Sequence, residues 1–258
     1  MREFPMHAWL LAFAALLAGC GEVWNNPYPA QDGGRNILYG AFTERPKHLD
    51  PVQSYSSDES EFNSQIYEPP LQYHYLKRPY TLVPLTAETM PRVRSVNAAG
   101  RDVPADSPGV AYTLYEIRIR PGILYQPHPA FARGPDGNLL YHNLSQADLK
   151  EVYSLGDFPQ TGTRELTAED YIYQIKRLAH PRLHSPLFGL MSEYIAGFKE
   201  FAERLKAEDK TLADSGRRGA WLDLSTLPLD GVEQIDKYSY RVRIKGRYPQ
   251  FEIGRAHV

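Results

Sequence analysis

The sequence predicts a mixed α/β fold, and three observations carry that expectation. Residues 238–245 alternate Tyr238, Tyr240, Val242 and Ile244 with Ser239, Arg241, Arg243 and Lys245, the period of a half-buried strand. Residues 111–120 (AYTLYEIRIR) place Thr113, Tyr115, Ile117 and Ile119 on one strand face. Between them, Tyr171, Ile172, Ile175, Leu178 and Ala179 form one apolar stripe at helical spacing.

Composition narrows the class. The chain has 258 residues, with 29 Lys and Arg against 31 Asp and Glu, a net charge of −2. Hydrophobic residues make up 42% and charged residues 23%, ordinary globular values that exclude a disordered tail, a collagen-like fibre and a polytopic membrane protein. The charge balance also argues against a general nucleic-acid binder, which carries a basic surplus. The length suits one large domain or two small ones. Tyr is the commonest aromatic, 18 against 10 Phe and 3 Trp. Its flat ring and hydroxyl suit polar ligands and ordinary sheet packing alike.

From the N-terminus, residues 8–19 (AWLLAFAALLAG) form the long apolar run. It is too short for a bilayer core of ~30 Å, which needs roughly 20 residues, and has the length of a signal-peptide core. Leu17-Ala18-Gly19-Cys20 resembles a bacterial lipobox. That resemblance implies a signal peptide over 1–19, a lipidated Cys20 thiol and cleavage before it, leaving acyl chains that hold the protein on a membrane surface. Cys20 is the single cysteine, so no internal disulfide can form. Residue 21 is Gly rather than Asp, which in a Gram-negative host implies no retention at the inner membrane.

Residues 20–35, rich in Gly, Pro and Asn, read as the lipidated tether. Ile37–Phe42 reads as a first, fully buried strand. Residues 57–67 read as a helix with Asp58, Glu59 and Glu61 early, where carboxylates are expected as solvated partners of the helix dipole; Pro69-Pro70 ends it. Residues 91–109, with three Pro and two Gly, read as a loop, and Pro121-Gly122 turns the chain after the 111–120 strand. Residues 126–163 again read as loop. Thr167-Ala168-Glu169-Asp170 is a helix start with Thr167 as N-cap, and His180-Pro181 is its stop. A second helix carries Ile195, Phe198, Phe201, Ala202 and Leu205, and 206–223 reads as a charged loop. There is no internal repeat.

Catalytic and cofactor motifs are missing: no HExxH, GxSxG, GxxxxGK or GxGxxG occurs. The eight His are scattered, so no metal site and no cofactor are expected, and no catalytic residue is assigned. Glu68 is a candidate partner for an Arg. Arg118 and Arg120 share a polar strand face with Glu116, most simply a salt-bridged surface.

Five segments in order resemble the bacterial extracellular solute-binding proteins of family 5. They are Leu49-Asp50-Pro51; Ile66-Tyr67-Glu68-Pro69-Pro70-Leu71; Tyr112-Thr113-Leu114 with Ile119-Arg120-Pro121-Gly122-Ile123; Leu166-Thr167-Ala168-Glu169-Asp170-Tyr171-Ile172-Tyr173; and Gly231-Val232-Glu233-Gln234-Ile235-Asp236 leading to Tyr240-Arg241-Val242-Arg243-Ile244. The resemblance spans about residues 36–251. It departs at Pro84–Met90, where the family has a charged turn and a Trp, and in the long 91–109 loop; these departures bear on ligand class.

The resemblance implies a periplasmic-binding-protein-like lobe of type II, incomplete because the second, ligand-clamping lobe is absent. Residues 36–65 correspond to the first part of lobe I, 66–189 to an inserted small domain and 190–251 to lobe I continued. It further implies a monomeric, non-catalytic protein at the cell envelope. Such a protein captures a peptide or other small solute and delivers it to an ABC permease with its ATPase. Nickel complexes, sugar oligomers and opines stay open as ligands. Ligand-facing positions carried over from the family are Tyr55, Ser56, Ser57 and Leu187. The alternative is a lipid-anchored periplasmic hydrolase whose catalytic residues lie beyond this stretch.

The last seven residues, Glu252 to Val258, back-translate to GAG ATC GGA AGA GCA CAC GTC, which resembles a sequencing-library adapter. The expectation is a gene fragment with an artificial tail over 252–258.

Overall fold

The structure, a computed structural model, describes residues 33–251 except Leu38, Thr43, Arg218 and Pro249. The signal peptide, Cys20, most of the tether and the 252–258 tail lie outside the described residues. The chain divides into two units, Met1–Thr43 and Glu44–Val258. In the first, residues 36, 37 and 39–42 form no strand, and Ile37, Tyr39 and Phe42 are exposed. This corrects the expected buried strand at 37–42. An apolar run becomes a strand only where another strand takes up its amides and carbonyls, and no described strand pairs with this one.

The second unit begins with α1 (Ser57–Ile66), capped by Ser56, whose Oγ accepts from the Glu59 amide at 3.3 Å. A small antiparallel hairpin follows, β1 (Leu71–Tyr73) paired with β2 (Leu82–Pro84). The main sheet has four antiparallel strands in the order β3-β4-β6-β5. These are β3 (Arg92–Val96), β4 (Tyr112–Arg118), β5 (Val232–Gln234) and β6 (Ser239–Lys245). The register sets Thr113, Tyr115 and Ile117 opposite Ile244, Val242 and Tyr240, all on one buried face, as the alternation predicts. Ile119 is also buried, just past the end of β4.

Three helices complete the unit: α2 (Ala168–Arg177), α3 (Phe188–Tyr194) and α4 (Phe198–Asp214). Thr167 caps α2, its amide and hydroxyl both donating to the Asp170 carboxylate at 2.8 and 3.2 Å. The α2 stripe (Ile172, Leu178, Ala179) and the α4 stripe (Phe198, Phe201, Ala202, Leu205) join the sheet in one core, finished by Leu222, Leu224 and Leu229. Burying each large apolar side chain stabilises by roughly 1.5–3 kcal/mol. Lys176, buried on α2, donates to the Leu224 carbonyl at 2.9 Å and so ties the 222–225 segment down.

Several sequence expectations need correction. The 91–109 loop contains β3, an edge strand of which only Val96 is fully buried. The charged loop at 206–223 is helical as far as Asp214, because its Lys, Glu and Ala residues are good helix formers on the solvent side. Ile195 precedes α4 and bridges to Ile244 rather than lying on the helix. In the main sheet, β4, from the 66–189 stretch, pairs with β6, from the 190–251 stretch. The 126–163 stretch holds only two 3-10 turns, Pro129–Phe131 and Leu155–Asp157, among helical and strand elements. The outer sheet face is salt-bridged as expected, but with different partners. Glu116 takes Arg241 at 2.8 Å, which also reaches Glu233 at 2.9 Å, while Arg118 reaches Glu88 at 2.7 Å.

Candidate binding cleft

Two electrostatic ties fix the segment before α1. The Asp50 carboxylate receives both terminal nitrogens of Arg177 on α2, at 3.1 and 2.5 Å, so the 49–51 turn is held against that helix. Glu59 is the second tie. It is only 4% exposed. Its Oε1 accepts the amides of Lys47 and His48 at 2.9 and 2.8 Å, and its Oε2 those of Tyr55 and Ser56 at 2.9 and 3.2 Å. This corrects the expectation of a solvated carboxylate at position 59. The Tyr55 and His48 amides lead in stabilising the charged form and, with Ser56 and Lys47, outweigh the burial that opposes it, so the Glu59 pKa falls to about 2.

That anchored segment forms one wall of a cleft of about 580 Å³. Tyr55 and Ser56 stand on it beside Ser60, Asn63, Ser64 and Tyr67 of α1. Leu187, the N-cap of α3, lines it too, with Leu190 and Met191 of that helix. Pro51, Ser54, Glu68, Pro69, Gln72 and Leu85 complete the lining. The structure therefore brings Tyr55, Ser56 and Leu187 to one cavity from positions far apart in sequence. Ser57 is exposed and does not line it.

The lining is neutral apart from Glu68 and contains no Lys, Arg or His. Glu68 meets no Arg through its carboxylate among the ion pairs of the described residues. Instead its backbone carbonyl accepts from the Tyr171 hydroxyl at 2.9 Å, which also stands 2.6 Å from Thr86 Oγ1. Burial pushes the Tyr171 phenol well above its ordinary range. The Asn63 amide nitrogen donates to Ser54 Oγ at 2.7 Å, while its Oδ1 is shielded from solvent without a hydrogen-bond partner. Chemically, such a wall offers hydroxyl and amide groups to a polar ligand and apolar area from Tyr55, Leu187, Leu190 and Met191. Among the described residues there is no group of three or more His, Cys, Asp or Glu placed to hold a metal ion.

Sequence reasoning missed Ser60, Asn63, Ser64 and Tyr67. Their spacing (i, i+3, i+4, i+7) is a helical stripe of hydrogen-bonding side chains, a signal that was there to be read. Leu190 and Met191 carried no such signal, because α3 itself was not foreseen.

No family model and no curated protein matches the chain. Among solved structures it is similar to the Escherichia coli murein tripeptide binding protein MppA, at 14% identity and a TM-score of 0.46, covering 83% of this chain and 28% of that one. It is similar to the pheromone receptor PrgZ, described in its mode of peptide binding, at 18% identity and 0.43, covering 81% and 27%. It is similar also to Listeria monocytogenes OppA bound to peptide, at 13% identity and 0.42, covering 81% and 26%. The chain thus spans about a quarter of the length of the solved binding proteins to which it is similar.

Proposed function

We propose that this chain is part of the solute-binding component of an ABC importer, that the cleft at Tyr55, Ser56 and Leu187 takes a peptide, and that Cys20 carries a lipid anchor at the cell envelope. One observation carries the peptide reading. Of the four positions the resemblance implies, Tyr55 and Ser56 are neighbours and Leu187 lies far along the chain, and these three border one cavity that also offers hydroxyl, amide and apolar groups. A peptide backbone presents amides and carbonyls that such groups satisfy without charge pairing. Capture of this kind needs no bond making. Closure would then follow as a population shift toward the ligand-bound form, which the permease recognises.

Native mass spectrometry of the protein purified from its own host tests this. The expected result is a co-purified peptide series that dissociates unchanged and rebinds. A protein that carries no peptide and binds none on addition, or that releases cleaved products, would favour the hydrolase alternative and overturn the reading.

A further inference from the structure

The β1–β2 hairpin ends in residues 74–81 (HYLKRPYT), which project from the second unit with large apolar groups in solvent. Tyr75 is 88% exposed, Leu76 76% and Tyr80 69%. The tip is nevertheless built. His74 Nδ1 accepts the Leu76 and Lys77 amides at 3.2 and 3.3 Å. Arg78 donates to the Tyr75 and Lys77 carbonyls at 3.3 and 2.9 Å, and its guanidinium lies 4.4 Å over the Tyr80 ring. Tyr80 in turn meets Tyr73 edge-on, with ring centroids 5.6 Å apart.

Charge gives the second observation. From Pro69 to Ala87 there is no Asp or Glu, while Lys77 and Arg78 flank the exposed apolar groups. Two adjacent cations thus stand beside exposed apolar side chains with no acidic residue near them in sequence, in a chain whose net charge is −2. Tyrosines with one apolar and one wet end, an exposed leucine and adjacent basic side chains match the interface of an anionic bilayer, where apolar groups enter the acyl boundary and cations meet phosphates.

We propose that this hairpin tip docks on a leaflet of anionic phospholipid, through Tyr75, Leu76 and Tyr80 with Lys77 and Arg78. This contact is independent of what the cleft binds, and it would add a protein-borne foothold to a lipid anchor.

The test uses the full chain carrying Cys20→Ser, so that no acyl chain contributes, and sedimentation with vesicles. One set is phosphatidylcholine alone and the other is mixed with phosphatidylglycerol. The N-terminal run and its charges are the same in the parent and in every tip variant, so differences between them report the tip. Two surface cations at about fivefold each predict roughly 20-fold stronger partition onto the mixed vesicles, weakening as salt rises. Lys77→Glu should cut that preference about tenfold or more. Tyr75→Ser with Leu76→Ser should lower partition onto mixed vesicles about tenfold without moving the thermal midpoint, since both side chains are solvent-exposed. Equal partition onto both vesicle types, or a preference that both variants leave unchanged, overturns the proposal. So does tip-dependent binding of an acidic polypeptide with no preference for anionic vesicles.

Discussion

Glu59 organises more backbone than any other side chain near the cleft, with four amides converging on one carboxylate. Its pKa of about 2 lies below the ordinary carboxylate value of 4.5. The sign follows from linkage: a depressed folded pKa stabilises fully above the unfolded value, and that stability drains as pH falls from about 4.5 toward 2. Glu165 behaves alike, also near 2, held chiefly by Lys237 at 2.6 Å, the Gly122 amide at 2.7 Å and the Tyr238 hydroxyl at 3.0 Å. Thermal melts across that window should show the wild-type midpoint dropping on acidification. Glu59→Gln should start lower at neutral pH and lose less over the same range. A Glu59→Gln curve that parallels the wild type would contradict the role assigned to this carboxylate. Position 59 also shows where sequence reading stops. An acid in a first helical turn reads as a solvated dipole partner, and the residues that bury it (Lys47, His48, Tyr55) lie in a loop whose path local pattern does not reveal.

At the scale of elements, strict alternation made β4 and β6 legible, and apolar spacing with an N-cap made α2 legible, because burial against one core imposes those periods. β3 was hidden by its edge position: only one neighbouring strand pairs with it, its Arg and Ser are exposed or half-buried, and nearby Pro and Gly dominate the local signal. The last turns of α4 were hidden because charged residues crowd them and, after Leu205, the apolar stripe continues only through the partly buried Leu212. Ala207→Gly discriminates helix from loop there. Ala207 is exposed, so the cost should be about 1 kcal/mol within a helix and near zero in a loop, read by chemical denaturation. Phe201→Ala, fully buried on the same helix, should cost about 3–5 kcal/mol. Gly231 precedes β5 where an added Cβ would fall 2.2 Å from the Ala196 carbonyl oxygen. Gly231→Ala should therefore destabilise by roughly 1–3 kcal/mol through displacement of the backbone before α4.

For the whole molecule, the mixed α/β class was legible, because strand-period and helix-period segments both occur along the chain. What sequence did not convey was that one sheet joins residues 92–96 to 239–245, since strand partners are chosen by the assembled core. The Ile37–Phe42 strand failed for the same reason: apolar content without a partner strand makes no strand. Among the described residues no helix is long and apolar enough to cross a membrane, and the lipid anchor proposed at Cys20 has its own test. Metabolic labelling with a radioactive fatty acid should mark the wild-type chain, and Cys20→Ala should abolish the label.

The central claim is that the Tyr55–Leu187 cleft binds peptide without turnover. Calorimetric titration with short peptides of mixed sequence, on the wild type and on Tyr55→Ala, tests it most directly. The account predicts saturable binding of intact peptide, weakened about tenfold or more in Tyr55→Ala, the usual cost of removing a central interface tyrosine. Absence of saturable binding, affinity indifferent to Tyr55, or cleavage of the peptide would contradict it.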